Sequence, residues 1–185
     1  GAGVRLLPVA CLAFGGREVV GKGFGMPLIL RYVLQFCETV AQAVAALRRI
    51  PTHMAYNVTL LDAKGHYATV NAAPDHEAIV SHKSFACNHQ DHLLWAKYAH
   101  ATGSQVRQTF LEELLTFPEM TIDSLTQAYL RPPLYRHDYG RASGTLYTAI
   151  YNPYEGTASY VWHSQRRRYT LNDVSSEELE VEFVA

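Results

Sequence analysis

The chain has 185 residues, 48% of them hydrophobic and 18% charged, with a formal net charge of −1. That is an ordinary soluble globular composition with enough apolar residues for one sizeable core, so one domain over 1–185 is the expectation. A charge this close to zero supplies no field for nucleic acid or a membrane surface, and no apolar run reaches the roughly 20 residues of a membrane span.

The first elements are read from period and punctuation. Residues 4–14 read as a largely buried strand closed by Gly15-Gly16, with Pro8 discordant because proline removes a ladder donor. Gly21, Gly23 and Gly25 form a loop. Its Gly21-Lys22-Gly23 core resembles a phosphate turn only superficially, since no Gly-x4 frame precedes it and no Ser or Thr follows the lysine. A flexible or positive-φ loop is expected. Pro27 suits the first turn of a helix running to about Glu38. Thr39 and Gln42 stand as a capping box that starts a second helix, with Val40, Val44 and Leu47 on one face, ending before Pro51.

The period then changes. Met54 to Leu61 is strand-like, Asp62-Ala63-Lys64-Gly65 is a turn, and His66 to Ala72 returns as a second strand. Residues 78–87 predict a strand pair or one bent strand ending at Asn88. A helix follows over about 104–117 on Val106, Phe110, Leu111, Leu114 and Leu115, and another from the Thr121 cap to before Pro132-Pro133. Gly144 to Tyr151 is dense in β-branched and aromatic residues, Asn152 to Gly156 turns it, and Thr157 to His163 returns. Arg166-Arg167-Arg168 reads as a solvated edge. The acids Asp173, Glu177, Glu178, Glu180 and Glu182 make 172–185 a loose acidic tail. Helices segregated from hairpins predict an α+β fold layered on antiparallel sheets.

The chemistry concentrates at Phe85-Ala86-Cys87-Asn88-His89-Gln90, where an apolar run ends in three residues able to donate hydrogen bonds. An amide held at the end of a core strand places a fixed N–H beside a reacting carbonyl, though an asparagine there is as often a turn former. His82, His89 and His92 with Asp91 invite a metal reading, but His89-x-x-His92 lacks a second ligand pair, and polar loop histidines are expected instead. Cys87 and His89, two apart, share a face in an extended segment and would make a thiol pair; against this, Cys87 sits in the apolar run, where cysteine behaves as a small hydrophobe. Cys11 and Cys37 lie among Leu, Ala and Phe and read as core. An odd number of cysteines in apolar flanks argues against a disulfide framework and for a reducing, cytoplasmic setting.

The pattern Cys87-Asn88-His89-Gln90, about 56 residues before the Gly144-Thr145-Leu146-Tyr147 hairpin, is accompanied by four further stretches. These are Phe14-Gly15-Gly16-Arg17, Gly25 to Tyr32, Ala55 to Asp62, and Leu130 to Tyr135. In order and spacing they resemble the acyl-coenzyme A:6-aminopenicillanic acid acyltransferase-like family of the N-terminal-nucleophile hydrolase superfamily. The resemblance runs from about Leu12 to Trp162. It implies a four-layer αββα sandwich of two antiparallel sheets between helices. It implies a cysteine freed by self-cleavage, whose own α-amine is the general base and whose thiolate forms an acyl-enzyme from an amide or thioester. An asparagine in the Asn-His position helps hold the oxyanion, which carries over to Asn88, with His89 orienting it. Arg141, Ser143, Thr145 and Tyr147 are expected near the site, Arg141 in catalysis and the other three against substrate. No metal and no cofactor are implied. The partner is a small amide or an acyl-CoA, not nucleic acid or membrane.

The family's nucleophile lies in a long segment ahead of the stretch matching Phe14-Gly15-Gly16-Arg17. The chain is therefore expected to be the C-terminal part of such an enzyme, an incomplete sandwich inactive alone and completed by the missing segment or a second copy. Two other readings stand beside it: a non-catalytic fragment or subunit that needs a partner, and a self-sufficient Cys87/His89 thiol hydrolase.

Overall fold

The computed structural model describes residues 9–13, 20–90, 96–141, 144–173 and 176–183, the backbone alone at 9–13, 96, 97 and 141. The chain divides into two compact units, Gly1–Gln108 and Thr109–Ala185.

The first unit holds an antiparallel sheet of order β1 (Val9–Ala13), β2 (Tyr56–Leu61), β3 (Tyr67–Ala72) and β4 (Ile79–Ser81). Helices α1 (Met26–Phe36) and α2 (Val40–Arg49) precede β2. Pro27 opens α1, as its fixed φ favours. The Thr39/Gln42 capping box forms at the start of α2. Met26, Ile29 and Val33 of α1 and Val40, Ala43, Ala46 and Leu47 of α2 form one core with Tyr56, Val58 and Leu60 of β2 and Ala68 and Val70 of β3. Fully burying a large aliphatic side chain contributes about 1.5–3 kcal/mol, so this face anchors the unit.

Register puts Tyr56, Val58 and Leu60 opposite Ala72, Val70 and Ala68 on the helix-facing side. The alternate positions carry Asn57 opposite Asn71 and Thr59 opposite Thr69. The sheet thus has one apolar face and one polar face, as period-2 alternation requires. Asp62 joins the hairpin to α2. Its Oδ1 accepts from the Lys64 and His66 N–H groups at 2.9 and 3.0 Å, and its Oδ2 faces the Val40 N–H at 3.4 Å. Gly65 takes φ 84 in that turn, a conformation that only glycine adopts without strain.

Residues 78–87 are not one strand. Only Ile79–Ser81 pairs, and the chain then leaves the ladder. Helix α3 (Ala96–Ala101), absent from the sequence reading, precedes α4 (Ser104–Leu114). The α4 helix stops three residues short of the expected end at 117.

In the second unit, a Thr121/Ser124 capping box opens α5 (Ile122–Tyr129). The antiparallel sheet β5 (Thr148–Asn152), β6 (Thr157–Val161) and β7 (Arg166–Thr170) follows. Leu130, Tyr135 and Val161, with Tyr139 and Ile150, make its core. The arginine run is an edge as expected, but a regular one: it is strand β7, and charge on an edge strand blocks further pairing. Residues 176–183 have no regular structure. The Glu177 carboxylate accepts from Tyr169 Oη, the Glu180 carbonyl accepts from Gln165 Nε2 at 2.8 Å, and the Phe183 ring lies 4.9 Å from that of Tyr139. Among the described residues no helix is long and apolar enough to cross a membrane.

Candidate functional site

The polar face of the first sheet explains why the segment after β4 is held without being a strand. Thr69 Oγ1 donates to the Lys83 carbonyl at 3.4 Å, while Thr59 and Thr69 hydroxyls pair at 3.0 Å. Asn57, only 2% exposed, donates both amide hydrogens, to the Cys87 carbonyl at 2.7 Å and the His89 carbonyl at 2.8 Å. Its Oδ1 accepts from Asn71 Nδ2 at 2.8 Å, which fixes which way the amide faces. Gln90 Nε2 reaches the carbonyls of Tyr56 and Ala72, the last pair of the β2–β3 ladder, at 3.1 and 3.3 Å. Side-chain amides and hydroxyls thus take the role that a fifth strand would play.

Asn88 lies between the two carbonyls that Asn57 clamps. Its Oδ1 accepts from Arg107 Nη2 at 2.8 Å, and the same guanidinium nitrogen reaches the Thr102 carbonyl at 3.3 Å. Arg107 stands one turn into α4, and Ser104 begins that helix. Ser104 is fully buried, and its Oγ lies 2.7 Å from Nδ1 of buried His89. Three anchors therefore fix residues 87–90: the sheet holds the backbone, and α4 holds both the Asn88 and the His89 side chain.

This arrangement has a chemical consequence. A cation on the amide oxygen draws electron density from nitrogen and makes the Nδ2 hydrogens stronger donors. It also sets the Asn88 amide with oxygen toward Arg107 and nitrogen on the opposite edge. Gln90 Oε1 and Arg107 Nε are buried with no hydrogen-bond partner, so the cluster keeps unspent polar capacity at its ends. Neither Asn88 nor His89 lines the cavities around Thr52, His163, Tyr32 or His66.

The other expected site residues belong to the second unit. Arg141 ends a 3₁₀ turn, Tyr139–Arg141, and its side chain lies outside the described part. Ser143 lies outside the described residues altogether. Thr145 is engaged locally: its N–H donates to the Arg136 carbonyl at 2.8 Å, its Oγ1 accepts from the Arg136 N–H at 3.0 Å, and its carbonyl accepts from Tyr139 Oη at 2.9 Å. Tyr147 is half exposed and stacks edge-on against Tyr160 and Trp162, with centroids 5.2 and 6.4 Å away.

The cysteines separate from this chemistry. Burial pushes the Cys37 thiol up, against a smaller opposing pull from Arg49, the reverse of what activates a nucleophile. Cys87 is 4% exposed. Asp91 and His92 of the metal reading lie outside the described residues, and among those described no group of three His, Cys, Asp or Glu side chains gathers to hold an ion.

The sequence reading missed Asn57, Ser104 and Arg107. Asn57 had a signal: an amide alternating with Tyr56 and Val58 inside a buried strand has to meet something polar. Ser104 and Arg107 had none, because only the path of the chain brings the start of α4 to residues 88 and 89.

Comparison with curated proteins and with solved structures gives no match. A family model does match, that of acyl-coenzyme A:6-aminopenicillanic acid acyl-transferase, over residues 9–167. The matched span contains the first sheet, strands β5 and β6 with the start of β7, the clamped Cys87-Asn88-His89-Gln90 segment and the helix that holds it, and the chain belongs to this acyl-transferase family.

Proposed function

We propose that this chain carries the oxyanion-stabilising half of a cysteine N-terminal-nucleophile amidohydrolase or acyltransferase. The substrate is a small amide or an acyl thioester, and the reaction passes through an acyl-enzyme. The observation that supports it best is the clamp on Asn88: an amide whose oxygen is taken by Arg107 and whose two flanking carbonyls are taken by Asn57. Such an amide has little freedom to reorient, and a preorganised donor is what stabilises charge developing on a carbonyl oxygen. His89, pinned by Ser104, keeps its neighbour in register.

In this reading the thiolate attacks the substrate carbonyl and the oxygen takes up negative charge against Asn88 Nδ2. The tetrahedral intermediate then collapses with loss of the amine or thiol, and water or an acceptor amine releases the acyl group. The attacking sulfur is neither Cys37, whose thiol burial holds protonated, nor Cys87, which is buried in an apolar setting. The two sheets are read as those of an αββα sandwich. On family resemblance, Arg141 is assigned to catalysis and Ser143, Thr145 and Tyr147 to substrate. Trapping with an activated thioester, followed by peptide mass mapping, tests the reading. It predicts no acyl group on Cys37 or Cys87, and stoichiometric acylation of Cys87 would instead establish the Cys87/His89 hydrolase.

A further inference from the structure

The Gly21-Lys22-Gly23 loop has a role that the acyl-transfer reading leaves unused. It is not a positive-φ loop; its glycines serve close approach. A Cβ on Gly21 would sit 2.5 Å from Pro74 Cβ, and one on Gly23 would lie within 2.6 Å of the Pro51 and Thr52 backbone. The loop is laced onto the chain after α2: the Gly21 N–H donates to the His53 carbonyl at 2.9 Å and the Phe24 N–H to the Pro51 carbonyl at 2.8 Å. Lys22 is the only side chain in this tight stretch, so the backbone fixes where its stem begins.

That stem lines a cavity of about 320 Å³, together with Arg48, Arg49, Thr52, Asp75 and His76. Three cations face one carboxylate there, in a chain whose overall charge is −1. Among the described residues none of the three makes an ion pair. Thr52, 4% exposed, keeps a buried hydroxyl with no partner in the same wall. The two arginines in the last turn of α2 also offset its dipole. That role accounts for neither Lys22, which comes from a different segment, nor the hollow between them.

We propose that this cavity binds the phosphate or diphosphate group of a small organic molecule. Arg48 and Arg49 supply planar donor forks suited to phosphate oxygens, and Lys22 adds a point charge from a different segment. Asp75 accepts from a hydroxyl of the same ligand, so a phosphate ester of a polyol or nucleoside fits better than a bare anion. The volume, at the small end of ligand cavities, admits a phosphate and its immediate substituent.

Calorimetric titration of the 185-residue chain with pyrophosphate, ADP and ribose 5-phosphate tests this. The two organic probes separate a nucleotide from a sugar phosphate. At least one probe is expected to bind at low ionic strength. Lys22→Gln is then expected to weaken it about tenfold, and the Arg48→Gln/Arg49→Gln pair about a hundredfold, one decade for each lost charge-assisted contact. Arg31→Gln, on the outside of α1, and Asn88→Ala leave the affinity within twofold, so the result is independent of the acyl-transfer reading. Absence of binding by all three probes overturns the proposal. So does binding that survives the double substitution, or binding that Arg31→Gln weakens equally. Circular dichroism of each variant, the part-buried Asn88→Ala included, checks that the fold is intact.

Discussion

Replacing Asn57 by alanine should destabilise the first unit by about 3 kcal/mol. The side chain is 2% exposed and makes hydrogen bonds of 2.7, 2.8 and 2.8 Å, two as donor and one as acceptor. A neutral hydrogen bond contributes about 1 kcal/mol net, and a buried carbonyl left without a donor costs about 1–3 kcal/mol. The Cys87 and His89 carbonyls both lose their amide donor, so the three-bond sum is the lower part of the range. Against a typical domain stability of about 5–15 kcal/mol this is a large fraction. Urea unfolding gives the change in free energy, and amide hydrogen exchange over residues 83–90 shows where it falls. Asn57→Asp should do no better, because it turns a carboxylate oxygen toward two carbonyl oxygens. Thr59→Val, which removes a single hydroxyl pair, should cost less than about 1 kcal/mol. A loss below about 1 kcal/mol for Asn57→Ala, with unchanged exchange in that segment, refutes the claim that the polar face of the sheet holds the Asn88 loop.

Two further perturbations probe the frame around the site. Burial alone would raise the Asp62 carboxyl, but hydrogen bonds from the His66 N–H and ring and from the Val40 and Lys64 N–H groups outweigh it and hold the group below the usual carboxylate range. A depressed pKa stabilises the fold above the unfolded value of about 3.9 and loses that contribution as pH falls through the folded value. The gap in urea stability between the unsubstituted chain and Asp62→Asn should therefore shrink on going from about pH 7 to about pH 3; a constant gap contradicts it. In the second unit, a Cβ at Gly144 would lie within 2.8 Å of the Cγ, Cδ1 and Cε1 carbons of the Tyr139 ring, whose hydroxyl bonds Tyr135 Oη at 2.8 Å and the Thr145 carbonyl at 2.9 Å. Gly144→Ala should cost about 1–3 kcal/mol, whereas Gly140→Ala, with open space around its Cβ, should be near neutral by the same unfolding assay.

What the sequence disclosed follows from how local each signal is. The capping box at Thr39, the proline at the start of α1 and the turn around Gly65 are written within four residues, and all appear in the structure. The apolar run at 85–87 misled because burial, not pairing, is what apolar residues report. The carbonyl of Cys87 at its end is satisfied by Asn57 from 30 residues away, which no periodicity encodes. Strand β7 was hidden by its composition, since an edge strand with one solvated face tolerates arginine at successive positions. The Asn88 site was half legible. Its residue types pointed to a donor, but Arg107, which holds that donor, is reached only through helix α3 and the start of α4.

The most direct test is the turnover of an amide or acyl-thioester substrate by Asn88→Ala, measured in the self-cleaved enzyme that bears the N-terminal thiol this reading requires. The account predicts a fall in kcat of about 10²–10³ with little change in KM. Arg107→Met should give a smaller fall of the same kind, accompanied by a shift in the Asn88 side-chain amide NMR signal. A kcat within a few-fold of the unsubstituted enzyme for Asn88→Ala would contradict it.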